Sequence, residues 1–124
     1  MTFLESILYL TLNVYHEARG EDQLAQIAVV HVTLNRSREQ QRSIKEIVLQ
    51  PRQFSWTDEV ENKMPSDFRA LMKCLASVSV AAQGYDFTGG ATHYHADYVH
   101  PYWADELIYI GSFGRHLFYK EERP

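Results

Sequence analysis

Several features that would place the chain in a special class are scarce among its 124 residues. There is one cysteine, Cys74, so no disulfide can form within the chain. Six glycines and four prolines are too few to mark a linker between two domains. No apolar run approaches the roughly 20 residues that a membrane-spanning helix needs. We therefore expect one folded domain over residues 1–124, without membrane insertion and with Cys74 in its core.

Positive charge is also limited, with 12 Lys and Arg against 16 Asp and Glu and a net charge of −4. This acidic balance disfavours nucleic acid as a partner. The first residues lack a basic segment and a small-residue cleavage site, and they include Glu5. The sequence therefore predicts synthesis in the cytoplasm without a signal peptide.

The order of hydrophobic patterns predicts helices first and short strands last. Helical spacing covers residues 3–18, a segment capped by Asp22, residues 43–49 and residues 65–83. Residues 91–99 and 108–119 are rich in aromatic residues and typical of short strands, with glycines at a turn. The predicted class is α+β, mostly α, with a small antiparallel sheet or hairpin in the C-terminal third.

The same patterns predict which helix faces are buried. A strand over Ile27–Thr33 is an alternative to the second helix, because this segment is rich in β-branched residues. The basic residues Arg36, Arg38, Arg42 and Lys45 are expected in solvent. The predicted apolar face of the second helix comprises Leu24, Ile27, Ala28, Val30, His31 and Leu34. That of the 65–83 helix comprises Phe68, Leu71, Met72, Leu75, Val78 and Ala82.

Glu17 is the first candidate for chemistry, since it ends the first predicted helix just before Gly20. A carboxyl group that is partly removed from water there favours its protonated form and can act as a general acid. The alternative is an ordinary solvated charge at a helix end. The pair His16–Glu17 does not begin an HExxH zinc motif, because position 20 is glycine.

His93 and His95 flank Tyr94, and on a strand this spacing places both imidazoles on one face. They could bind zinc with His100 or Asp97 as a further ligand. They could instead form a cleft wall that donates hydrogen bonds to a polyhydroxylated ligand, or simply a polar strand face. The residues alone leave these three interpretations open.

The segment Gln50–Trp56 offers an amide, a hydroxyl and two aromatic rings in a region without helical or strand pattern. Such loops often line binding sites. The aromatic rings could equally fill the core beneath the loop.

Four segments in order resemble the SleB/CwlJ-type cell wall hydrolases. They are YHEARGEDQLAQIAVVHVTLNR (residues 15–36), QPRQFSW (50–56), TGGATHYHADYVHPYW (88–103) and IGSFGRHLFY (110–119). The resemblance covers nearly the whole chain, and it implies a lysozyme-like catalytic domain that acts on peptidoglycan. The catalytic glutamate of the family matches Glu17, although His16 stands where the family usually has glycine.

The resemblance implies that Glu17 is the catalytic acid. We expect a substrate-binding cleft around it, with no metal and no cofactor. The expected substrate-binding residues are Tyr15, Glu21, Gln53, Phe54, Ser55, Trp56, Thr92, His93, Tyr94, His95, Trp103 and His116.

The predicted function is a lytic transglycosylase that cleaves between N-acetylmuramic acid and N-acetylglucosamine, since no second carboxylate is convincingly placed. One alternative is a zinc-dependent N-acetylmuramoyl-L-alanine amidase that uses His93, His95 and His100. The other is a glycan-binding module without catalysis, which would grip sugar with Gln53, Trp56, Tyr94 and Trp103. A monomeric phage endolysin that reaches the wall through a separate membrane-permeabilising protein fits the expected lack of a signal peptide.

Overall fold

The computed structural model describes residues 2–50 and 65–121, and it confirms the predicted α+β class with mostly helical content. The elements are α1 (Phe3–Ala18), α2 (Gln23–Gln40), α3 (Ile44–Val48), α4 (Phe68–Gln83), β1 (His93–Ala96), a 3-10 helix (Tyr102–Asp105), β2 (Ile108–Phe113) and β3 (His116–Lys120). Within these described residues, none of the helices has both the length and the apolar character needed to cross a bilayer.

Polar side chains begin the helices, as the sequence predicts. The Asp22 carboxylate accepts a hydrogen bond from the backbone N–H of Ala25 at 2.9 Å, and Ser43 forms a reciprocal capping box with Glu46. The predicted start of α4 at residues 65–66 was too early. Asp67 is its N-cap, because its carboxylate accepts a hydrogen bond from the backbone N–H of Ala70 at 3.1 Å.

Helix α2 lies at the centre of the helical layer and is buried on most of its surface. It packs against α1, α3 and α4 and also contacts the sheet. Four residues of the predicted apolar face are buried, namely Ile27, Ala28, Val30 and His31. Burial extends beyond that face, however, and Leu24, which the prediction places on it, is exposed. The strand alternative for Ile27–Thr33 is wrong, since these residues are helical throughout.

The buried face of α4 also differs from the prediction. Cys74, Ser77 and Val78 are buried, and the burial of Cys74 confirms its predicted place in the core. A buried polar contact accounts for this difference. The Ser77 hydroxyl donates a hydrogen bond to Gln26 Oε1 of α2 at 2.7 Å, so the side of α4 that carries Ser77 packs against α2. Four residues of the predicted face are exposed instead, namely Phe68, Met72, Leu75 and Ala82.

The three strands form an antiparallel sheet in the order β1-β3-β2. The predicted glycine turn joins β2 to β3 at Gly114, which has a φ of 59°. A Cβ atom on Gly114 would lie 2.6 Å from Glu21 Oε1 and 2.8 Å from the Ala25 Cβ. Glycine therefore allows this turn to pack directly on the junction between α1 and α2.

Buried hydrogen bonds fix that junction. The Gln26 side-chain amide donates to the Ala18 carbonyl oxygen at 3.0 Å, and the Lys73 ammonium donates to the Glu21 carbonyl oxygen at 2.8 Å. These bonds satisfy backbone groups that the end of α1 leaves free. The last turn of α1, which carries Glu17, is thereby held against both α2 and α4.

Candidate active site

Glu17 lies in the last turn of α1, partly buried and facing the sheet. The Tyr94 hydroxyl of β1 donates a hydrogen bond to Glu17 Oε1 at 2.6 Å. Removal of the carboxyl group from water raises its pKa, and this effect outweighs the opposing effects of the Tyr94 hydrogen bond and the Arg36 charge. Glu17 is thus a carboxyl group that keeps its proton to a higher pH than an exposed glutamate does.

Tyr94 is positioned by the sheet and by neighbouring rings. Its ring stacks on Phe118 of β3 at a centroid distance of 5.5 Å and meets His116 edge-on at the same distance. Burial and the nearby Glu17 raise the pKa of the Tyr94 hydroxyl well above its usual value. Tyr94 therefore remains a hydrogen-bond donor over the whole pH range in which Glu17 titrates.

Arg36 corrects a sequence prediction, because it is buried rather than solvated, with 9% of its surface exposed. Its Nε donates to the Thr92 carbonyl oxygen at 2.6 Å, just before β1 begins. Its charge favours the ionised form of both Glu17 and Tyr94. One sequence signal could have found it, since Arg36 continues the buried helical stripe of Ala25, Val29 and Val32.

Glu21, predicted to contact substrate, ties the β2–β3 turn to the α1–α2 junction. It is 6% exposed. Its Oε1 accepts from the Arg115 backbone N–H at 2.6 Å, and its Oε2 accepts from Arg115 Nη2 and Nε at 2.8 and 3.0 Å. His116 Nδ1 lies 3.4 Å from Oε1. Burial acts to raise the pKa of Glu21, but Arg115 outweighs it and holds that pKa below the usual value.

Glu17 and Glu21 line one open cleft between the helices and the sheet, with a volume of about 480 Å³. The two carboxyl groups differ in their environments, because burial raises the pKa of Glu17 whereas Arg115 holds the pKa of Glu21 below its usual value. Such a pair is typical of a site with separate acid and anchoring roles. The lining residues are His16, Glu17, Ala18, Arg19, Gly20, Glu21, Ala96, Asp97, Tyr98, Arg115 and His116.

His93, His95 and Trp103 are not among the described residues that line this cleft, so their contact with substrate stays a prediction. Tyr94 faces Glu17, and because side chains alternate along a strand, its neighbours on β1 face the other side of the sheet. Trp103 of the 3-10 helix packs there, with its ring 5.1 Å from that of His93 and 5.6 Å from that of His95. His95 Nε2 is also hydrogen-bonded to the Tyr119 hydroxyl at 2.9 Å.

Two further residues that were predicted to bind substrate, Tyr15 and Thr92, are buried and make hydrogen bonds within the protein. The buried Tyr15 accepts hydrogen bonds at its hydroxyl from the backbone N–H groups of Ser66 and Asp67, at 3.1 and 3.0 Å. Thr92 is buried, and its hydroxyl is hydrogen-bonded to His93 Nδ1 at 2.9 Å. Neither residue lines the cleft.

The histidines proposed as zinc ligands are not gathered into one site. Residues 2–50 and 65–121 hold no group of three His, Cys, Asp or Glu side chains that could bind a metal ion. His100 instead lies 3.3 Å from the Asp105 carboxylate on the surface. The remaining predicted site residues, Gln53, Phe54, Ser55 and Trp56, lie outside the described residues.

Similarity to known proteins covers most of the chain. Residues 20–119 match the family described as cell wall hydrolase. The catalytic domain of the germination-specific lytic transglycosylase SleB from Bacillus anthracis is 27% identical, with a TM-score of 0.80 over 96% of this chain and 97% of that one. The catalytic domain of the Bacillus cereus SleB protein is 28% identical, with a TM-score of 0.77 over 94% and 91%. No curated protein gives a significant match.

Proposed function

The chain belongs to the cell wall hydrolase family, as its resemblance to SleB/CwlJ-type enzymes predicted, and we propose that it is a lytic transglycosylase with Glu17 as its acid and base. The proposed bond is the one between N-acetylmuramic acid and N-acetylglucosamine in peptidoglycan, and the whole chain acts as one catalytic domain. The family match begins at residue 20, so the role of Glu17 depends on geometry. The observation that carries it is the partly buried carboxyl group of raised pKa in the cleft.

In the proposed reaction, protonated Glu17 donates its proton to the glycosidic oxygen as the bond to C1 of N-acetylmuramic acid breaks. Positive charge develops at C1 and the ring oxygen, as in other glycoside cleavages. The Tyr94 hydroxyl, 2.6 Å from Oε1, stabilises the negative charge that appears on Glu17.

The second half of the reaction needs no further carboxylate. The C6 hydroxyl of the same muramic acid attacks C1, and the Glu17 carboxylate accepts the hydroxyl proton, which restores the acid. The products are a 1,6-anhydromuramic acid end and a free N-acetylglucosamine end. Intramolecular attack benefits from the high effective concentration of a tethered nucleophile.

The state of Glu21 supports this mechanism over two-carboxylate hydrolysis. A hydrolase needs a second carboxylate as nucleophile or as base for water. Both oxygens of Glu21 accept hydrogen bonds from Arg115, so the negative charge of this carboxylate is already paired and its position is fixed. Asp97 also lines the cleft and is the carboxylate to test if the products prove hydrolytic.

Substitution of Glu17 tests the proposal. Glu17→Gln keeps the shape but removes the transferable proton, so wall lysis should fall by about a hundredfold to ten-thousandfold. Asp97→Asn, in the same cleft, is the matched control and should retain activity. Lysis by Glu17→Gln near the parent rate would show that another residue is the acid.

The endolysin role, the monomeric state and the need for a membrane-permeabilising protein stay predictions from the sequence. Expression in bacteria with and without a co-expressed pore-forming protein tests them together with the oligomeric state in solution. We expect lysis only when the pore-forming protein is present, with a monomeric enzyme. Lysis by the enzyme alone would contradict the dependence on that protein.

A further inference from the structure

The rim of the cleft carries a feature that the proposed acid chemistry does not use. Tyr98 lines the cleft, yet 86% of its surface is exposed. Arg115 also lines the cleft, and 73% of its side chain is exposed. An apolar ring and a guanidinium group thus face solvent beside the proposed acid.

Hydrogen bonds of the neighbouring residues fix the backbone around Tyr98. Tyr98 belongs to a turn in which the Val99 N–H donates to the Ala96 carbonyl oxygen at 3.2 Å. The Asp97 N–H donates to the Arg115 carbonyl oxygen at 2.9 Å, which joins this turn to the β2–β3 turn. An exposed aromatic ring on such a fixed turn supplies apolar contact area to a ligand at little entropic cost.

Arg115 is also ordered before any ligand binds. The nearly buried Glu21 carboxylate accepts from its Nε and Nη2 at 3.0 and 2.8 Å. The third guanidinium nitrogen, Nη1, makes no hydrogen bond with Glu21 and can donate to a ligand. This arrangement gives Glu21 a positioning role toward Arg115.

We propose that Tyr98 and Arg115 form a sugar subsite at the rim of the Glu17 cleft. The C–H face of an N-acetylated pyranose stacks on the Tyr98 ring, and Arg115 Nη1 donates to a hydroxyl or N-acetyl oxygen of the same glycan. The choice of a glycan as the ligand rests on the proposed function. A stem peptide of peptidoglycan is the competing occupant, and the experiment separates the two.

The test measures binding without turnover in the Glu17→Gln background. The probe is soluble glycan strand freed of stem peptides, titrated by calorimetry. Tyr98→Ala should raise the dissociation constant about tenfold, a loss in the range of one aromatic contact. Tyr98→Phe keeps the ring and should bind within about twofold of its parent. Arg115→Lys keeps the charge but removes Nη1, and it should also weaken binding.

Tyr102→Ala is the matched control, because Tyr102 is 82% exposed and does not line the cleft. It should leave the dissociation constant unchanged. Equal affinity of Tyr98→Ala and its parent, or an equal loss in Tyr102→Ala, would overturn the Tyr98 contact. Unchanged affinity of Arg115→Lys would overturn the Arg115 contact. A loss seen only with peptide-bearing strands would assign the site to the stem peptide. These outcomes are measured as binding and not as lysis. A failure of the sugar subsite can therefore be distinguished from a failure of Glu17 as the acid.

Discussion

Removal of the Tyr94 hydroxyl should change the pH dependence of the enzyme in a defined direction. This hydroxyl donates to Glu17 Oε1 at 2.6 Å and lowers the pKa of a carboxyl group that burial raises. A hydrogen bond to a charged group contributes about 1.5–3 kcal/mol, and one between neutral groups about 0.5–1.5 kcal/mol. Tyr94→Phe therefore disfavours the ionised form of Glu17 by about 1–1.5 kcal/mol relative to the protonated form, which corresponds to about one pKa unit.

The assay is the rate of wall lysis as a function of pH. The proposed mechanism needs protonated Glu17, so activity should fall as pH rises through the pKa of this group. In Tyr94→Phe that alkaline limb should move up by about one pH unit. The maximum rate should drop by up to about tenfold, because the carboxylate formed during proton transfer loses its donor. Tyr85→Phe, which changes an exposed tyrosine outside the cleft, should match the parent. An alkaline limb that stays in place or moves down would refute this account of Glu17.

Three further predictions concern stability and metal. Glu17→Gln should stabilise the fold at pH 7–8 but not near pH 4. The raised pKa of Glu17 destabilises the folded state only as the pH rises above the ordinary value of 4.5. Thermal melts at both pH values test this. Gly114→Ala should lower the free energy of unfolding by about 1–3 kcal/mol in a denaturant titration, since the new Cβ would meet Glu21 and Ala25. Gly20→Ala should lower it less, because nothing lies within 4 Å of the new Cβ there. Equal losses would contradict the packing argument. Exhaustive chelation should leave wall lysis unchanged, and activity lost on chelation and restored by zinc would favour the amidase alternative.

Local signals allowed much of the fold to be predicted. Asp22 and Ser43 cap helices through hydrogen bonds to residues three positions ahead, so the sequence alone locates these helix starts. Gly114 likewise marks a turn, because its φ of 59° is one that glycine adopts readily. The position of Glu17 at the end of α1 followed from such local rules.

The remaining site geometry depends on contacts between residues far apart in sequence. The spacing of apolar residues predicted the wrong buried face for α4. The buried contact between Ser77 and Gln26 of α2 is polar, so a pattern of apolar residues does not reveal it. Strand alternation predicted that His93 and His95 share a face, but it could not say which face of the sheet meets α1. Nothing in the sequence indicated the proposed role of Tyr98, since that role depends on a turn that a hydrogen bond to the Arg115 carbonyl oxygen fixes.

The chemical identity of the released glycan ends tests the central claim most directly. Purified peptidoglycan digested by the enzyme would be analysed by mass spectrometry of its soluble fragments. Intramolecular attack by the C6 hydroxyl predicts fragments that end in 1,6-anhydromuramic acid, lighter by one water than the hydrolysed equivalents. Reducing muramic acid ends as the main product would contradict transglycosylation and direct attention to Asp97 as a second carboxylate. Free stem peptides from an intact glycan would contradict glycosidic cleavage itself.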